Sequence, residues 1–286
     1  MIREGRLGRY MVPDKAFTHG GKFHADDVFS AALLTYLNPD IVIERGPEVP
    51  ADYDGLVFDI GGGSFDHHQK DSRKREDGNP YAAFGLLWEK YGAQILGEED
   101  ARILDERMIE PMDLSDNTGC ENTIAELIST FNPSWDSPKK KEDAFWEAVS
   151  FAKTILEKKF EHILGAQRAD VVVKKAMEKA KKRVLILSEF APWKKTVKGS
   201  DILFVVFPSY RGGFCAQAVP DPEHENELLL PFPESWRGAD KEELREISGI
   251  PTLDFCHNSG FLLAGRRFDD VMQACYRTME LSGYQV

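Results

Sequence analysis

The chain has 286 residues, 42% hydrophobic and 29% charged, which is enough for two ordinary domains with real cores and unlike a disordered protein. Its net charge of −12, from 36 basic and 48 acidic residues, argues against passive binding of nucleic acid through a broad basic surface. An enzyme acting on phosphates stays open, since bound metal ions add positive charge that a residue count omits. No apolar run reaches the roughly 18 residues of a membrane span. Residues 1–6 lead into no apolar stretch of the secretory kind. Cys120, Cys215, Cys256 and Cys275 form no C-x-x-C pair, so the expected compartment is the reducing cytoplasm.

Residues 15–18 read as the end of a strand, followed by the loop His19-Gly20-Gly21-Lys22-Phe23-His24. A helix opens near Asp26, carries Val28, Phe29, Ala31, Ala32, Leu34 and Leu37, and stops at Pro39. Residues 41–44 and 56–60 read as two more strands, the second nearly all apolar as in the middle of a parallel sheet. Helical patterns cover 81–91, 98–109 and 121–131, with residues 112–117 as a polar loop between the last two. Two long helical patterns follow at 139–164 and 167–183; the basic cluster on the second is a solvated face or a guide for a polyanion. Beyond Arg183, strands are predicted at 184–187, 202–207, 214–219 and 261–264. A helix capped by Asp240 and Glu243 runs through Ile247, and a last helix covers 269–281. The expected architecture is α/β. Residues 1–165 form a domain with a mainly parallel sheet flanked by helices, 166–183 a helical linker, and 184–286 a smaller α/β domain.

Four of the seven histidines fall in the first quarter of the chain, grouped with Asp26, Asp59 and Asp66. Imidazole and carboxylate together suit divalent ions such as Mn²⁺ or Zn²⁺. His19, His24 and Asp26 lie on one loop entering a helix and can converge on a point. Asp59 ends a buried strand, where open α/β sheets place their crevices, and a lone buried carboxylate there costs several kcal/mol unless it is paired or ligates a metal. Gly61-Gly62-Gly63 leaves that crevice unobstructed. His67 and His68 are adjacent and point differently, so that one ligates while the other orients or donates a proton. Asp116 or Asp113 closes the shell. Taken singly, Asp26 also reads as a helix cap and Asp59 or Asp66 as a turn residue; it is the convergence of three segments that favours a dinuclear site.

The blocks Thr18-His19-Gly20-Gly21-Lys22-Phe23-His24-Ala25-Asp26-Asp27, Phe58-Asp59-Ile60-Gly61-Gly62 and Phe65-Asp66-His67-His68-Gln69 resemble the MYG exonuclease family, itself similar to the DHH phosphoesterases named for the Asp-His-His triplet. The likeness continues through Asp113-Leu114-Ser115-Asp116-Asn117, Cys215-Ala216-Gln217-Ala218-Val219-Pro220, Leu230-Pro231-Phe232-Pro233-Glu234-Ser235-Trp236-Arg237-Gly238 and His257-Asn258-Ser259-Gly260-Phe261. It implies a two-domain hydrolase with a DHH-like N-terminal domain that binds two divalent ions, commonly manganese, through His19, His24, Asp26, Asp59, His67 and Asp116. It also implies 3′–5′ removal of nucleotides from RNA or short oligonucleotides.

On this footing Asp59 bridges the metals and His68 donates to the leaving group or substrate. Arg211, His257 and Arg266 (or its neighbour Arg267) grip phosphate from the second domain. Tyr210, Phe214 and Phe261 are stacking surfaces or core. A homo-oligomer and the absence of any membrane partner are compatible with the sequence. The competing expectations are a pyrophosphatase or dinucleotide hydrolase of the same kind, and a non-catalytic scaffold whose metals merely hold loops together.

Overall fold

The computed structural model describes residues 12–224 and 226–284; residues 1–6, examined above for a secretory signal, lie outside them. The fold is α/β, and the chain divides into two compact units, Met1–Leu164 and Gly165–Val286.

In the first unit, β1 (Lys15–His19), β2 (Val42–Gly46) and β3 (Leu56–Val57) form a parallel sheet in the order β2-β1-β3. Parallel neighbours need a crossover, and α1 (Ala25–Leu37) supplies it between β1 and β2. That helix is buried on almost every face, from Ala25 to Leu37, because α2 (Ala83–Leu96) and later helices pack on the side away from the sheet. Next come α3 (Glu98–Leu104), a π-helical turn (Asp105–Ile109), α4 (Glu110–Thr118) and α5 (Thr123–Ser129). The core collects Phe29, Phe58, Phe84, Trp88, Phe145 and Phe160.

Three local expectations need correction. Residues 112–117 are not a loop but lie in α4, with Pro111 in its first turn and Gly119 (φ 72°) ending it. The strand at 56–60 pairs only over Leu56–Val57, since Asp59 turns into the left-handed region. The two helices at 139–164 and 167–183 are one continuous helix, α6 (Lys141–Met177). Gly165 weakens a helix by only about 1 kcal/mol, and the apolar spacing continues past it, with Phe160, Ala169 and Val173 all buried.

The second unit holds a mixed sheet in the order β4-β5-β6-β8-β7, built from β4 (Val184–Ile186), β5 (Phe204–Pro208), β6 (Phe214–Ala218), β7 (Leu253–Cys256) and β8 (Leu262–Gly265). Its β4–β5 pair is parallel and the rest antiparallel. The short helices α7 (Lys194–Val197) and α8 (Lys241–Ser248), with the terminal α9 (Phe268–Leu281), accompany it. Asp240 accepts the Glu243 backbone N–H (2.9 Å), which is the cap expected of α8. β7 escaped prediction because Leu253-Asp254-Phe255-Cys256 is short and half polar. No helix among the described residues is long and apolar enough to cross a membrane.

One buried ion pair fixes α4. Arg75 donates to Asp105 (2.8 and 3.0 Å) and to Asp113 (2.8 Å), whose other oxygen accepts the Gly85 N–H (3.2 Å). Asp113 is fully buried, and a Cβ on Gly85 would sit 1.8 Å from its Oδ2. Removing one partner of such a pair leaves a buried charge uncompensated. Arg75→Met is therefore expected to cost about 3 kcal/mol, and Gly85→Ala to destabilise by dislodging the same carboxylate; urea unfolding of the purified variants measures both.

Candidate metal centre

Backbone geometry brings the first histidines together. β1 ends at His19, Gly20 N–H is held by Gly46 O (2.7 Å), and Gly21 (φ 89°) turns the chain back. His24 then stands at the N-terminal boundary of α1, with its backbone N–H donated to Asp27 Oδ1 (2.8 Å). Asp26 and Asp27 thus occupy the first turn of α1, where the helix dipole favours negative charge.

The second segment is strained. Asp59 takes φ 55°, a conformation that costs a non-glycine residue of order 1–3 kcal/mol. Its N–H donates to Phe65 O (2.9 Å), and Gly62 N–H donates to Asp66 Oδ2 (2.7 Å), so the 59–66 loop closes on itself. Asp66 is thereby more than a turn residue, because its Oδ1 holds His68 Nδ1 at 2.7 Å.

The side chains converge. Asp59 Oδ2 lies 3.0 Å from His19 Nε2 and Asp59 Oδ1 lies 3.1 Å from His67 Nε2. His67 Nε2 is also 3.4 Å from Asp116 Oδ2 and 3.6 Å from Asp26 Oδ2. His19 Nε2 is 3.3 Å from Asp27 Oδ2. In both imidazoles the other nitrogen is engaged by an acceptor. His19 Nδ1 meets Gly20 O at 3.1 Å, and His67 Nδ1 meets Asn117 Oδ1 at 3.2 Å. The Asn117 amide is fixed in turn by donating to Asp113 O (2.9 Å) and Tyr81 O (3.1 Å). Each ring therefore donates from Nδ1 and aims Nε2 inward, the orientation that outer hydrogen bonds impose on metal-binding histidines.

The electrostatics follow from crowding. Burial and the charge of Asp59 push Asp26 up to about 6, and burial with the charge of Asp26 pushes Asp116 up to about 7. Burial also raises Asp27. Burial would raise Asp59 too, but its hydrogen bonds from His19 and His67 prevail and bring it down to about 2. The carboxylates of Asp27 and Asp59 lift His19 to about 11; for His67 burial works the other way, yet Asp26 and Asp59 still lift it to about 11.

Do these residues suit a metal? Both carboxylate oxygens of Asp26 are buried without a hydrogen-bond partner. A buried carboxylate left without hydrogen bonds is expensive, and a divalent cation with oxygen and imidazole ligands would satisfy it. Four donor sets among the described residues have ligand atoms within 4.8 Å of one another; Asp221, His224 and Glu227 form one in the second unit, and the other three are here: His19, Asp27 and Asp59; Asp59, His67 and His68; His24, Asp26 and Asp116. These buried clusters could bind metal ions. Every ligand expected from the sequence falls in one of them. Asp113 does not, being turned toward Arg75. Asp27 was the omission, although an acidic residue one position after Asp26 in the same helical turn was the available signal. The run Asp113–Asn117 gives no sequence sign that Asn117 holds the His67 ring. The cluster opens into two pockets of about 570 and 470 Å³ that share His24, His68 and Asp116 on their walls.

The candidates in the second unit do not form one group. His257 Nδ1 accepts the Ser259 N–H (3.1 Å), and its ring packs edge-on to Phe261 at 4.5 Å. His257 N–H pairs with Leu262 O (2.9 Å) at one end of β8, whereas Arg266 follows Gly265 at the other end. Four residues of strand separate the two levels by roughly 13 Å. Arg211 lies on the Arg266 side, because Phe214 is paired with Gly265. Arg266 and Arg267 are distinguished by their partners, Asp254 (3.2 Å) and Asp269 (4.0 Å). Phe214 packs on Phe268, while Tyr210 is 95% exposed and is not core.

Known proteins share this sequence over most of its length. The human protein named MYG1 exonuclease is 27% identical, covering 96% of this chain and 88% of its own. An MYG1 protein of Schizosaccharomyces pombe is 27% identical, covering 93% and 97%. The rat MYG1 exonuclease is 28% identical, covering 88% and 81%. No solved structure gives a significant match. A family model named for MYG1 exonuclease, and described as an uncharacterised protein family (UPF0160), matches residues 15–279. With that span matched, from β1 into α9, the chain belongs to the MYG1 exonuclease family.

Proposed function

We propose that this chain is a metal-dependent phosphodiesterase that removes nucleotides from the 3′ end of RNA or short oligonucleotides. The observation that supports it best is the buried carboxylate of Asp26, which has no hydrogen-bond partner and lies beside His67 and Asp116 in a set of metal-competent donors. The human and rat relatives are named exonucleases, which favours a nuclease. In this reading residues 1–165 form a DHH-like catalytic domain, 166–183 a linker, and 184–286 a substrate-binding domain whose His257 contacts the strand.

His19, His24, Asp26, Asp59, His67 and Asp116 would hold two divalent ions, manganese foremost. Such ions supply a hydroxide nucleophile near neutral pH and offset charge on the phosphoryl group. Asp59 is the carboxylate shared between the two sets, since its oxygens face His19 on one side and His67 on the other. Asp27 supports the His19 side. His68 has a different task. Its side chain is 64% exposed, its Nδ1 is held by Asp66, and it lines both pockets. With Nδ1 engaged by Asp66, Nε2 is the nitrogen left to donate to a leaving oxygen, from the imidazolium form. A cleft of about 570 Å³ accommodates a nucleotide-sized ligand. Glu121 and Glu126 on its wall disfavour tight retention of a long polyanion.

End-labelled RNA, DNA, dinucleotides and pyrophosphate, each incubated with Mn²⁺, Mg²⁺, Zn²⁺ or chelator, test the reading. Stepwise shortening from the 3′ end with manganese and none with chelator is expected. Turnover of pyrophosphate with intact RNA, or no turnover at all with stoichiometric metal bound, would reject it.

Two variants separate holding metal from chemistry. His68→Ala should keep its metal content and lose about 10²–10⁴-fold in kcat. Asn117→Ala should instead weaken metal binding about 10–100-fold by freeing the His67 ring, measured by calorimetric titration.

The metal-free chain should also respond to pH. His19 and His67 have folded pKa values raised above 6.5, so their contribution is fully present below 6.5 and is lost as pH rises toward about 11. Asp26 and Asp116, raised to about 6 and 7, act in the same direction at lower pH; Asp59, held near 2, acts oppositely only in strong acid. The chelated protein should therefore melt at lower temperature as pH rises above 6.5, and metal affinity should increase over the same interval because binding displaces those protons. Differential scanning calorimetry with and without manganese reads both.

A further inference from the structure

The tip of the β5–β6 hairpin is built rather than slack. Ser209 N–H bonds Gly213 O (2.9 Å), Gly212 N–H bonds Ser209 O (3.0 Å), and Arg211 N–H bonds Ser209 Oγ (3.1 Å). Gly213 presses on the next strand, where a Cβ would lie 2.3 Å from Gly265 O and 3.0 Å from Arg266 Cα. That close approach puts the hairpin tip that carries Tyr210 and Arg211 at the end of β8 that leads into Arg266 and Arg267.

Two properties of this corner need an explanation. Tyr210 is 95% exposed and packs on no ring among the described residues. A large aromatic surface left wholly in water gains nothing from folding. The charge is also unbalanced, in a chain whose net charge is −12. Asp254 alone faces Arg245 (2.5 Å), Arg266 (3.2 Å) and Lys241 (3.9 Å). Arg267 reaches Asp269 only at 4.0 Å, and Arg211 has no acidic partner among the described residues. The side chains of Arg266 and Arg267 are 63% and 67% exposed.

We propose that Tyr210, Arg211, Arg266 and Arg267 form a platform for single-stranded nucleic acid, with Tyr210 stacking on a base and the arginines contacting backbone phosphates. Exposed rings beside solvent-exposed cations bind single strands with little regard to sequence, because every base offers a π-face. The platform lies at the opposite end of β8 from His257, so it engages a different part of the strand from the one His257 meets. It draws its ligand class from the nuclease reading, but its test does not depend on turnover.

The test is fluorescence anisotropy with the full metal-loaded chain and a labelled, phosphorothioate-linked oligouridylate, whose linkages resist cleavage. Tyr210→Ala is expected to weaken binding about tenfold, and Tyr210→Trp to restore it. Arg211→Gln should reduce the slope of log affinity against log salt by about one. Wild-type affinity in Tyr210→Ala overturns the proposal, as does equally tight binding of poly-glutamate, which carries charge but no base. A chain that binds the oligouridylate through Tyr210 yet hydrolyses no phosphodiester would sink the nuclease reading and leave the platform standing.

Discussion

Repulsion among Asp26, Asp27, Asp59 and Asp116 is the constraint that shapes the N-terminal unit. Two like charges about 4 Å apart cost about 4 kcal/mol at an effective dielectric of about 20, and burial adds desolvation to each. A fold keeps such a group only when cations are supplied or some of the carboxyls take up protons, as the raised Asp26 and Asp116 do. Here two protonated imidazoles, His19 and His67, provide part of that charge in the absence of metal. The strained φ of Asp59, worth about 1–3 kcal/mol, is small beside the electrostatic terms, so the loop can hold it provided Asp59 remains between the two histidines.

That balance explains the unusual polarity of the surrounding elements. α4 is a helix whose inner side is not an apolar stripe. Its buried Asp113 is matched to Arg75, and Asn117, one turn on, is spent on orienting His67. α1 carries its acidic residues in the turn where its own dipole offsets them. Sheet edge, helix start and polar helix each contribute groups that would be liabilities alone.

The outline of the fold was readable because hydrophobic period changes sharply in this chain, from the strand at Ala16–Phe17 to the helix at Val28–Leu37 and back at Leu56–Phe58. The ligand-type residues were readable because they sit where those periods end. α4 was not, since an ion pair rather than apolar spacing anchors it. α6 reads as two helical patterns on either side of Gly165, although its buried apolar positions continue across that residue. The relation of His257 to Arg266 was hidden for another reason. β7 itself goes unpredicted, and it is the β7–β8 hairpin that sets His257 against Leu262, at the end of β8 away from Arg266.

Arg45 shows how closely structure and chemistry are joined here. Its guanidinium is almost wholly buried, lies 3.8 Å over the Phe145 ring, and meets Glu142 Oε2 at 3.2 Å and Asp27 Oδ2 at 3.7 Å. A cation sandwiched between an aromatic face and a carboxylate gains from both. It thereby ties β2 to the start of α6 and places positive charge behind Asp27, whose other oxygen holds the His24 N–H. The loop from His19 to Asp27 is therefore fixed from beneath by a residue that never reaches the cleft. Loosening Arg45 would change where His19 and His24 stand before it changed the core, so the geometry of the candidate metal centre is set as much by packing on α6 as by the ligands themselves.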